Sequence, residues 1–177
     1  MWIAKDRKQT DQKYWDHIGE TASMSAPERA SDEMTLIGDA TGKRLLDLGG
    51  GGILCGIACG CSRAVLVDLS SSLCKRVRKS WPDWEVICED ALKFLESNHD
   101  EFAVVACFGL LEYLPESALD ALARLAPAPV LAIGVSSREG YLGYEDRITI
   151  PSEEDIITIT EGHGWVRTMN MPFPSHV

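Results

Sequence analysis

The sequence predicts an α/β protein, a doubly wound sandwich built on a mostly parallel sheet and truncated in its C-terminal strand region. Three observations carry this reading. Two apolar runs, Arg44 to Leu48 and Ala64 to Leu69, are too short for helices and are punctuated by glycine, so they read as buried parallel strands. Four consecutive glycines, Gly49 to Gly52, separate the first run from a segment with room only for a short helix. Beyond Asp68, short apolar runs alternate with amphipathic segments to the end of the chain.

The glycine turn is the centre of the pattern. A chain that leaves a strand and bends sharply into a helix visits positive φ, and a ligand approaching bare backbone needs the missing side chains. A right-handed βαβ unit brings the carboxyl ends of both strands to one edge, so Asp68 and the turn face one crevice, with Asp47 beneath the turn. Asp68 is placed to hold two vicinal hydroxyls of a ribose, and charge-assisted bonds of that kind contribute roughly 1.5–3 kcal/mol each. A dinucleotide fingerprint does not fit. G-x-G-x-x-G would need glycine or alanine at position 54 or, shifted by one, at 55, where Leu54 and Cys55 stand.

The other elements follow in order. Residues 1–42 form an N-terminal helical cap with helices over about Asp11–Thr21 and Ala26–Ile37, the second ending at Gly38; residues 43–177 form the α/β unit of what is one domain overall. Ser70–Ser80 reads as a helix capped by Ser70 or Ser71 and closed by Trp81-Pro82, and Trp84–Cys88 as the third strand. A helix follows over Ala91–Ser97, then a strand over Phe102–Phe108, a helix over Glu116–Leu125 and a strand over Pro129–Val135. Pro151 and Ser152 with three acids open a helix that stops at Gly162 or Gly164. A sixth strand is expected over about Trp165–Met169, whereas the terminal MPFPSHV, with two prolines, makes a poor seventh.

Charge narrows the partners. The 177 residues carry 27 acidic and 17 basic side chains, a formal charge of −10, which opposes docking on nucleic acid or an anionic membrane. The densest basic group, Lys75, Arg76, Arg78 and Lys79, falls on a helix and reads as a solvated face. No signal peptide and no apolar stretch of about 18 residues is present, so a cytoplasmic location is expected, with the six cysteines as free thiols. Cys55, Cys59 and Cys61 have the spacing C-x3-C-x-C, one residue short of a cluster-binding loop and without a zinc-type second pair, so no metal is expected.

Asp47-Leu48-Gly49-Gly50-Gly51, Val67-Asp68-Leu69-Ser70, Cys88-Glu89-Asp90-Ala91 and the run from Phe108 to Pro115 together resemble the motifs of the class I S-adenosylmethionine-dependent methyltransferases, over about residues 10–170. The resemblance implies a Rossmann-like fold, S-adenosyl-L-methionine as cofactor, and cofactor-binding roles for Asp47, Gly49, Gly51, Asp68, Leu69, Asp90, Ala91 and Phe108. Asp68 would hold ribose, Asp90 and the Ala91 amide would read adenine, and Phe108 would flank the methionine portion. Asp90 is equally a helix N-cap.

There are departures. Ile53 stands where the family pattern has its third glycine, and Ala22 and Ser23 stand where a tyrosine often follows a Trp-Asp pair such as Trp15-Asp16. Ala106-Cys107-Phe108-Gly109 replaces the Asn-Pro-Pro-Tyr type motif that grips a base, which disfavours adenine or cytosine methylation. No catalytic residue is identified beyond His17, a weak general-base candidate. The expected acceptor is a small molecule or a group presented by a partner protein, with Tyr14, Trp15, Met24, Tyr141 and Tyr144 around it. Two alternatives stay open: intramolecular cyclisation of the cofactor's aminobutyrate chain, and a non-catalytic subunit that supports a sister chain, with a homodimer as a further possibility.

Overall fold

The computed structural model describes residues 12–21, 33–50, 54, 58, 60–135 and 151–168. Its centre is a sheet of five strands, β1 (Arg44–Leu48), β2 (Arg63–Asp68), β3 (Glu85–Cys88), β4 (Val104–Phe108) and β5 (Val130–Gly134). They lie in the order β3-β2-β1-β4-β5, and every pairing is parallel. The chain therefore winds outward from β1 to β3 and returns across it to β4, so the order reverses between β1 and β4. In open parallel sheets that reversal leaves a crevice at the carboxyl ends of the strands.

Strand parity divides the core. Leu46, Leu48, Val65, Val67, Val105 and Cys107 project to one face, where α3 (Ala91–Ser97) and α4 (Ala118–Leu125) cover them. Ile156 and Ile159 of α5 (Glu153–Gly162) pack against the same cluster. On the other face Leu45, Val104, Ala106 and Phe108 meet Ile37, Ala40 and Leu54, while Leu66 and Val86 meet Leu73, Cys74 and Val77 of α2 (Ser71–Ser80). Central strands apolar at both parities are what a sheet buried on two faces requires. Helix α1 (Gln12–Thr21) packs on α2.

Helix ends follow from local chemistry. Ser70 caps α2 by accepting from the Leu73 amide at 3.2 Å, and Arg78 and Lys79 in its last turn complement the helix dipole. Ser152 and Asp155 form a reciprocal capping box at the start of α5. Residues 33–37 are helical and stop at Gly38, whose φ of +74° lets its amide turn back to the Met34 carbonyl.

Three expectations change. Residues 165–168 are not a strand: the Trp165 indole donates to the Ala123 carbonyl at 2.7 Å and His163 meets Asp120 at 2.8 Å, so this stretch is tied to α4 instead of the sheet edge. The sheet of the described residues thus ends at β5. Strand β4 starts at Val104, because the Phe102 amide donates to Pro127 and not into the ladder. Helix α4 starts at Ala118, after a turn in which its amide reaches the Pro115 carbonyl. Gly51, Ile53, Cys55, Cys59, Ala22, Ser23, Met24, Tyr141 and Tyr144 lie outside the described residues. No helix of the described residues is long and apolar enough to cross a membrane.

Candidate functional site

A cleft runs across the carboxyl ends of β3, β2, β1 and β4. It is lined by Asp90 and Ala91 after β3, by Val67, Asp68 and Leu69 at β2 and by Gly49 after β1. Gly109, Leu110, Tyr113 and Leu114 complete it after β4, and Trp15 joins them from α1. Counted out to where it opens to solvent, the space is about 520 Å³.

Gly49 sits at φ +66° and its amide donates to the Val67 carbonyl at 2.8 Å, so the turn is closed against β2. A Cβ there would lie 2.8 Å from Leu110 Cδ1, so a side chain would intrude at the cleft and strain the backbone. Gly50 is needed for a different reason: a Cβ would fall 2.0 Å from Asp47 Oδ1.

Among the described residues two acids line the cleft, Asp68 and Asp90. Burial pushes the pKa of Asp68 up, and the charge of Asp16 adds to this, while the Ser70 amide, donating to Oδ1 at 2.7 Å, pulls the other way; the result is about 6. Asp90 caps α3, with both the Leu92 and Lys93 amides ending on Oδ1 at 3.0 Å. Its Oδ2 takes no part in the cap, so capping and ligand contact are compatible on one residue.

Asp47 is fully buried, and among the described residues neither oxygen has a hydrogen bond of normal geometry. Burial holds its pKa well above the carboxylate range, with Glu33 and Asp68 adding to the effect and the neighbouring Gly50 amide offsetting part of it. It is not among the residues that line the cleft. Glu33 and Glu112 are also buried, and Glu112 adds to the effect of burial in raising the Cys107 thiol.

The comparisons with known proteins bear on this geometry. No protein-family model matches the sequence, and no curated protein matches it by sequence. Solved structures do match. Magnesium protoporphyrin IX methyltransferase from Synechocystis, crystallised with S-adenosylmethionine, superposes with a TM-score of 0.65 over 98% of this chain and 95% of its own, at 17% identity. The N-methyltransferase NodS from Bradyrhizobium japonicum, in complex with S-adenosyl-L-homocysteine, gives 0.59 over 76% of this chain and 72% of its own, at 23% identity. A methyltransferase from Archaeoglobus fulgidus gives 0.60 over 87% and 74%, at 19% identity. The fold is that of the S-adenosylmethionine-dependent methyltransferases.

Within this methyltransferase fold the residues singled out from sequence divide. Gly49, Asp68, Leu69, Asp90 and Ala91 come together in the cleft. Phe108 does not line it: its parity on β4 turns it into the core beside Ala132 and Ile37, and Gly109 and Leu110 stand at the cleft instead. His17 is exposed on α1, and the neighbouring Trp15 reaches the cleft. Tyr113 lines the cleft from within the Phe108–Pro115 run, where sequence reasoning assigned it no role of its own. The burial of Glu33 and Glu112 has no sequence signal.

Proposed function

We propose that the chain is an S-adenosylmethionine-dependent methyltransferase acting on a small molecule or on a group presented by a partner protein. One observation carries the reading: a glycine turn, a ribose-competent Asp68 and an adenine-competent Asp90-Ala91 pair line one cleft in a fold matched by methyltransferases crystallised with this cofactor or its product. The donor set fits the cofactor. Gly49 presents bare backbone, and a side chain would intrude there. Asp68 has the acceptor oxygens for two hydroxyls, and Ala91 has a backbone amide to donate to a ring nitrogen.

When bound, S-adenosylmethionine supplies an activated methyl group on a sulfonium sulfur. The work left to the chain is holding and alignment. Asp68 and Asp90 fix the nucleoside, the glycine turn admits the amino-acid end, and Leu110, Tyr113, Leu114 and Trp15 supply an apolar surface that excludes water. No lysine or arginine lines the cleft among the described residues, which favours a neutral or cationic acceptor over a polyanion.

Titration calorimetry with S-adenosylmethionine and S-adenosylhomocysteine tests the cofactor, and a metabolite-pool screen for cofactor-dependent gain of one methyl tests the transfer. Expected are saturable binding of both forms and a methylated product formed together with adenosylhomocysteine. Methylthioadenosine released without an acceptor would replace transfer by cyclisation. Failure to bind either form would leave the fold without the activity.

A further inference from the structure

We propose that Asp16 is a positioning residue that latches helix α1 across the cleft and so holds Trp15 against Tyr113 as the cleft's cover; the role at the cofactor rests on the function proposed above. Asp16 and Trp15 are consecutive on α1, so their side chains leave the helix about 100° apart. One faces α2 and the other the cleft.

The α2 side is tightly built. Asp16 Oδ1 accepts from the Ser72 amide at 3.1 Å and from Ser70 Oγ at 3.3 Å, and Oδ2 accepts from Ser71 Oγ at 3.1 Å. The Ser72 hydroxyl donates to the Asp16 carbonyl, and the Arg76 guanidinium donates to the Gly19 carbonyl. Gly19 permits this approach: a Cβ there would lie 2.3 Å from Ser70 Oγ and 2.9 Å from Ser72 Oγ. The carboxylate thus serves the free amides of α2 from another helix, where the helix dipole favours a negative charge. Although burial works against the charge, the Ser72 amide and the Ser71 and Ser70 hydroxyls outweigh it and hold Asp16 below the ordinary range.

On the other side Trp15 meets Tyr113 edge to face at 4.9 Å and Tyr14 at 5.0 Å. Tyr113 follows β4, whereas Ser70 follows β2 and donates its amide to Asp68. Helix α1 therefore ties together the two elements that flank the glycine turn, with Trp15 lying where it does because Asp16 is held.

The test compares Asp16→Ala with Asp16→Asn, since asparagine keeps an oxygen that can cap α2. In the absence of ligand, amide exchange in residues 12–21 should speed up about tenfold in D16A and stay near wild type in D16N, with exchange in β1 and β4 unchanged. S-adenosylhomocysteine should leave D16A about tenfold faster and D16N at nearly the wild-type rate, and Trp15→Ala should release it as fast as D16A with α1 still protected. Unchanged exchange over residues 12–21 in D16A overturns the latch. Faster exchange with an unchanged release rate overturns its role in covering the cleft. A wild-type chain that binds no S-adenosylhomocysteine sinks the proposed function, while the exchange arm still decides whether Asp16 holds α1.

Discussion

Asp47 and Asp68 are the same residue type near the carboxyl ends of neighbouring strands, and burial raises the pKa of both, yet the fold places them differently. Asp47 projects beneath the glycine turn, is sealed from water and is pushed well above its ordinary pKa by that burial and by Glu33. Asp68 stands at the cleft, is oriented by the Ser70 amide and titrates near 6. Adjacent glycines repeat the contrast, since Gly49 yields space to the cleft and Gly50 yields it to Asp47. Of the two carboxyls, one is built into the floor beneath the turn and the other lines the cleft.

The largest effect should come from separating the two glycines. Gly49→Val places a branched side chain at positive φ and against Leu110, and affinity for S-adenosylhomocysteine should fall about a hundredfold or more. Gly50→Val drives a methyl group into the buried Asp47 carboxyl and should cost about 1–3 kcal/mol of stability by urea denaturation. If Gly49→Val binds normally, the turn does not face the ligand. Next in size is Asp68→Ala, which should weaken binding about tenfold to a hundredfold by calorimetry, with the fold retained. Unchanged affinity would remove Asp68 from the site.

What could be read in advance follows the same division. The glycine turn and the strand ends were legible because short apolar runs bounded by glycine have few alternatives, and topology alone carries Asp68 and Asp90 to one edge. Phe108 was misplaced because a strand buried on both faces is apolar at both parities, so nothing in Val104–Phe108 tells which residues face which layer. The Trp165 stretch looked like a strand because its tie to Ala123 is a side-chain bond across 42 positions of chain. The bonds of Asp16 to Ser70, Ser71 and Ser72 span more than 50 positions and leave no local spacing to detect.

The third prediction is a pH dependence. Ionised Asp68 accepts hydroxyl hydrogens more strongly than the neutral acid, so affinity for S-adenosylhomocysteine should be level near pH 7 and weaken by up to about tenfold per pH unit below 6. Of the groups that face Asp68, Asp16 of α1 is held low and burial pushes the Cys74 thiol of α2 to about 12, so neither titrates in that window. Calorimetry from pH 5 to 7 checks this, and Asp68→Asn should remove the slope. A slope that persists in that variant would assign the titration to another group.

The smallest expected effect sharpens the contrast most. If Asp47 is held as the neutral acid, Asp47→Asn replaces it by a neutral group of the same shape. Ligand affinity should stay within about threefold of wild type, whereas Asp68→Asn should lose about tenfold at pH 7. Stability supplies the sign. Between the unfolded value of 3.8 and the higher folded value the native state holds a proton that the unfolded chain has lost, so wild-type stability falls as pH rises through that window. Asparagine has no proton to lose. Urea denaturation at pH 5 and at pH 8 should therefore show the variant gaining on wild type as pH increases, by about 1.4 kcal/mol for each pH unit in which the two states differ by a full proton. A difference that stays flat between pH 5 and pH 8 would mean that Asp47 is ionised in the folded protein over that range as it is in the unfolded chain, which would make the floor carboxylate and the cleft carboxylate alike in charge at neutral pH.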